Sequence, residues 1–186
     1  MTPTAEALDR LAAEWSAARD GGIRLAAVRK GRALLQDRAT RDLAWFVAAF
    51  DDPDRWAFAV AVVHGVLPRK LLRPILAAAV RHPNVSSNRW FIYAAVHSFG
   101  GDEVWSILDE HLAAATDREQ RGKVRAASYW VPYMQSRVES ERIRGRIRKL
   151  SAEQRLRLFM VCDEQTQREL VWMLPYNVPA LRGLLD

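Results

Sequence analysis

The chain has 186 residues, 49% of them hydrophobic, with a formal net charge of +6 and a pI near 10.0; only four of its 28 basic residues are lysine. Its longest apolar run, residues 57–63, is far short of the about 20 residues a membrane span needs, and its single cysteine, Cys162, excludes a disulfide within the chain. The opening residues have neither a basic segment nor an apolar one, so no signal peptide is expected and the reading is a cytoplasmic protein of one domain, residues 1–186.

Thr2 and Pro3 read as cap and first residue of a helix that carries Leu8, Leu11, Ala12 and Trp15 along one face. Gly21 and Gly22 break the chain before a second amphipathic helix over residues 23–35, which Gly31 should weaken by about 1 kcal/mol relative to Ala. Leu43, Phe46, Val47 and Phe50 mark a third. Asp52 and Pro53 read as cap and first residue of the next, which runs through residues 55–66. Pro68 begins another that ends at Arg81, with Pro74 inside it.

Residues 88–100 are apolar on nearly every helical face, as in a helix buried on two sides. Gly100 and Gly101 end it, and Asp102 starts a helix with Val104, Trp105, Leu108 and Leu112 inward. Thr116 and Glu119 match a capping box ahead of a helix that Pro132 should close. Residues 136–150 alternate Arg with Ile and Gly but read as a helix, since no other segment could pair with a strand. Ser151 and Gln154 form a second capping box before residues 155–162, and further helices are expected over 164–174 and after Asn177. The prediction is all-α, about ten helices.

A spacing of 34 residues recurs. Arg55-Trp56, Arg89-Trp90 and Lys123-Val124 lie in one register, followed by Ala59, Tyr93 and Ala127, and by Val62, Val96 and Trp130. Val124-Arg125-Ala126-Ala127 resembles the V-R-x-x-A second-helix pattern of HEAT repeats. Residues 56–65, preceded by Asp52-Pro53, are similar, with Trp56 and Trp90 in the Val position. The resemblance covers residues 40–131 best. It implies a right-handed α-α superhelix, a HEAT-like solenoid whose second helices line a concave face.

If the hairpins stack, Arg55, Arg89 and Lys123 form a basic ridge, joined by Arg125 and Arg121, with Trp90 and Tyr129 as aromatic neighbours. Such a ridge suits an acidic macromolecule, a protein surface ahead of nucleic acid. A non-catalytic binding scaffold is the resulting expectation. Seven tryptophans are read mostly as core. An enzymatic alternative rests on Trp105 and Asp109, four residues apart, a spacing similar to that of helical-repeat alkylpurine DNA glycosylases; Trp130 or Trp172 would be the second aromatic. No metal-ligand spacing, phosphate loop or nucleophile elbow occurs, and no cofactor is expected.

Overall fold

The structure, a computed structural model, describes residues 2–37 and 41–151, with residues 153, 154 and 157. By its internal contacts the chain forms two compact units, Met1–Ser136 and Arg137–Asp186. Among the described residues there is no strand, and nine helices follow in order: α1 (Pro3–Ala17), α2 (Gly21–Gln36), α3 (Leu43–Phe50), α4 (Trp56–Val63), α5 (Arg69–Arg81), α6 (Val85–Phe99), α7 (Gly101–Ala114), α8 (Arg118–Ser128) and α9 (Trp130–Lys149). No described helix is long and apolar enough to cross a membrane. The helices expected over 155–162, over 164–174 and after Asn177, with Cys162 and Trp172, lie outside the described residues.

In the first unit consecutive helices pair: α1 with α2, α3 with α4, α5 with α6, α7 with α8. The second members also pack on one another in sequence, α2 on α4, α4 on α6, α6 on α8. The first members do so from α3 to α5 to α7, and α1 reaches α4. The core lies between these rows. Phe46, Phe50, Phe58 and Phe91 are fully buried, and so are Leu8, Leu71, Leu76 and Leu108. In α6 every residue from Phe91 to Val96 is buried, as expected of a helix covered on both flanks.

Polar side chains set where the helices begin. Thr2 caps α1 by accepting from the Ala5 amide, and its hydroxyl donates to Asp42 at 2.7 Å. Asp42 in turn caps α3 by accepting from the Trp45 amide at 3.0 Å. Two helix starts 40 residues apart are thus joined through one hydroxyl. Asp20 caps α2, and Asn84 caps α6, which begins at Val85, three residues before the expected start at Asn88.

Four local expectations need correction. Asp52 does not cap α4. Its carboxylate accepts from the Asp54 and Arg55 amides in a turn that precedes the helix, and Arg55 is the N-cap residue. Nor is Thr116 the cap of α8. Asp117 accepts from the Gln120 amide at 2.8 Å, so the cap is displaced by one residue toward the better capping type, and the Gln120 side chain accepts from the Thr116 amide, just before the cap, at 3.1 Å. Pro132 closes nothing. It sits in the first turn of α9, where its missing N–H would have had no helical partner. Gly31, expected only to weaken α2, lies against α4. A Cβ there would meet Val62 Cγ2 at 2.8 Å and Phe58 Cζ at 3.1 Å, so only glycine permits this approach of the two helices.

Beside it, Arg32 reaches across the same interface. Its guanidinium donates to the carbonyls of Ala61 (3.2 Å), Val62 (3.1 Å) and His64 (2.9 Å), acceptors that the end of α4 leaves without helical donors.

In the second unit Ser151 and Gln154 exchange two hydrogen bonds, at 2.9 and 3.2 Å, in the expected reciprocal box. Arg137 pairs with Glu141 and Arg157 with Glu153, each one helical turn apart.

Candidate binding groove

The feature best formed for recognition is a groove of about 390 Å³ built by three helices of the first unit. Its floor is α4. Trp56, Val60 and His64 recur every four residues and so share one face, and Ala57 and Ala61 form the adjacent row. The two alanines stop short, and that leaves the space. One wall is Trp15, which continues the Leu8–Leu11–Ala12 stripe of α1 by one more turn. The other is Trp90 with Tyr93 in α6.

Each ring in the groove is held by a neighbour. Trp56 stacks on Phe91 with centroids 5.3 Å apart and planes inclined by 20°. Trp15 meets Phe58 at 6.3 Å. The His64 imidazole lies 4.6 Å from the Tyr93 ring and 4.9 Å from that of His97.

Two guanidiniums flank the walls. Arg24 lies over the Trp15 ring, 5.2 Å from its centroid, with its Nε donating to the Ala18 carbonyl at 2.9 Å. Arg89 lies over the Trp90 ring at 4.8 Å. Neither is paired with a carboxylate among the described residues. Cation–π contact at an exposed site is worth about 0.5–1 kcal/mol, enough to orient a guanidinium while leaving its edge donors open to an anion.

The residues of the expected ridge fare differently from one another. Arg55 lies 3.4 Å from Asp9 and 3.5 Å from Asp52, so its charge is met inside the chain. Lys123 pairs with Glu119 at 2.6 Å, and that hydrogen bond raises its pKa. Arg89 and Lys123 each stand in the second turn of their helices, whereas Arg55 precedes the first turn of its own. Arg121 and Arg125 are exposed on α8, whose buried residues are Val124 and Ala127.

Tyr129 is 56% exposed, and its hydroxyl donates to that of Tyr133 at 3.2 Å, which raises its pKa. Between them in sequence, Trp130 donates its indole N–H to the Val85 carbonyl at 3.0 Å, at the head of α6. Arg89 stands one turn beyond Val85 on the same side of that helix.

Trp105 and Asp109 are both exposed on α7, which takes no part in the groove. Trp130, one of the two aromatics considered alongside them, is instead tied to α6. No group of three or more His, Cys, Asp or Glu side chains that could hold a metal occurs among the described residues.

Of the residues singled out from the sequence, Trp90 and Arg89 belong to the groove. Trp15, Arg24, Trp56, His64 and Tyr93 were not anticipated there. The four-residue spacing of Trp56, Val60 and His64 beside two alanines was visible in the sequence; the approach of Trp15, 75 positions from Trp90, was not. No protein-family model, curated protein or solved structure matches the chain.

Proposed function

We propose that the chain is a non-catalytic binding scaffold: a right-handed, HEAT-like stack of hairpins whose second helices present the recognition surface to an acidic macromolecule. The packing of α2, α4, α6 and α8 in sequence supports the stack. One observation carries the functional reading. Both tryptophan walls of the groove lie beneath guanidiniums that have no carboxylate partner among the described residues. The recognition centre therefore shifts from the ridge as a whole toward Arg89 and Arg24, because Arg55 and Lys123 already have intrachain counter-ions. Arg121 and Arg125 add charge to the same row of helices.

Salt titration of binding to heparin, a polyanion without aromatic groups, tests this. An Arg24→Gln/Arg89→Gln double variant should bind more weakly and with a shallower salt dependence, since each lost cation–anion contact removes roughly one unit from the slope. Equal affinity and slope for the variant and the wild type would remove the reading.

A further inference from the structure

We infer that the groove takes the unpaired bases of a single-stranded nucleic acid, with bases stacking on Trp15 and Trp90 and phosphates meeting Arg24 and Arg89. This rests on the acidic-macromolecule reading and names the ligand class. The lining is almost wholly aromatic and aliphatic: three tryptophans, a tyrosine, two alanines and a valine, with His64 at one end. Among the described residues no carboxylate lines it, and cations stand over both walls.

That combination discriminates between ligand classes. An alkylammonium group would suit the rings, but two guanidiniums repel it. An aliphatic peptide side chain would suit the apolar floor and leave both cations without a counter-charge. A carboxylate-rich peptide would answer the cations and leave the tryptophans covered by nothing flat. A nucleotide joins a flat π-face to an anion in one covalent unit. The volume, about 390 Å³, lies toward the lower end of the range of about 300–1,000 Å³ for small-molecule sites.

Paired bases already stack on their neighbours and offer only their edges, so the strand must be single. Stacking on aromatic side chains is tolerant of sequence. The Tyr129–Trp130–Tyr133 cluster extends the surface. Trp130 is bonded to the head of α6, and Arg89 stands one turn along from there, so aromatic and cationic groups follow each other along one helix.

The test measures tryptophan fluorescence quenching at low salt by a 12-mer of deoxythymidylate. The comparison ligands are a duplex of equal length, an oligonucleotide of the same length carrying abasic sites, and polyglutamate. Expected is saturable quenching by the single strand, with weaker binding of the other three. Trp90→Ala should lower affinity roughly five- to hundredfold, and Trp90→Phe should keep most of it. The abasic ligand asks the same question of the unaltered protein, so the outcome does not depend on how a variant folds.

Equal affinity for the abasic strand, the duplex or polyglutamate would overturn the inference and leave the acidic-macromolecule reading standing. An unchanged affinity in Trp90→Ala would do the same. Absence of binding to every polyanion, heparin included, would end both.

Discussion

Gly31 of α2 lies so close to Val62 of α4 that a single added methyl group would stand 2.8 Å from Val62 Cγ2. Real carbon atoms do not approach so closely, so a substitution must push the two helices apart. Gly31→Ala is expected to cost about 1–3 kcal/mol, despite the better helix propensity of alanine. Gly122, also within a helix, has no described residue within 4 Å of where a Cβ would stand. Gly122→Ala should raise stability by up to about 1 kcal/mol. Urea denaturation of the pair should move their midpoints in opposite directions; a shift of both in one direction would contradict the packing described for α2 on α4.

Asp42 gives a pH dependence with a defined sign. The Thr2 hydroxyl, then the Trp45 amide, hold its carboxyl below the usual carboxylate value. A group whose folded pKa is depressed contributes stability above its unfolded value, about 3.9, and loses it as the pH falls through the folded value. Asp42→Asn retains a capping oxygen but cannot ionise. The two proteins should differ in melting temperature at neutral pH and converge below about pH 3.9. Asp42→Ala, which also removes the cap, should cost about 1 kcal/mol. A constant gap between wild type and Asp42→Asn from pH 7 to pH 3 would show that ionisation is irrelevant there.

His111, near the end of α7, works through the opposite charge. Burial lowers its pKa, and Arg73 lowers it further; Glu110 acts against them, and Arg81 adds slightly to the depression. The folded protein therefore binds this proton less readily than the unfolded chain. Stability at this position should fall as the pH drops below about 6.5, the ordinary value for histidine. Thermal melts between pH 8 and pH 5 should slope less steeply for His111→Gln than for the wild type, and parallel curves would count against the assignment.

Asn88 is 2% exposed in α6, and its Oδ1 has no hydrogen-bond partner among the described residues. An unmet buried acceptor costs about 1–3 kcal/mol, whereas an apolar group of similar shape carries no such cost. Asn88→Leu is expected to melt at a higher temperature than the wild type. A lower melting temperature would mean that the amide does more for α6 than its hydrogen bonds reveal.

Local chemistry was the legible part of the sequence. Thr2 with Pro3 before the first helix and Ser151 with Gln154 before the residues that follow act as their types and spacing imply, because a cap involves only its own turn. Within the apolar stretch of α6 the residues from Phe91 to Val96 are buried, as their composition requires, whereas Trp90 beside them is exposed. The sequence is ambiguous where two local solutions compete within one turn, as between Thr116 and Asp117, or between Asp52 and Arg55. The packing role of Gly31 is not legible for a different reason: it depends on Val62 and Phe58, which sequence order places far away. The groove was legible by halves. Arg89 and Trp90 stand out through the 34-residue spacing, whereas Trp15 and Arg24 join them only once α1 has packed on α4.

The hold of Arg32 on the last carbonyls of α4 bears on how the protein breathes. A side chain of α2 terminates α4, so α4 cannot open without taking the acceptors from Arg32, nor α2 without taking the donors from those carbonyls. Backbone amides in the two helices should then exchange with deuterium at one shared rate, as a single cooperative unit, even though the chain between them passes through a separate helix. Cleavage by a protease at the end of α4 would, by the same logic, wait upon the opening of α2.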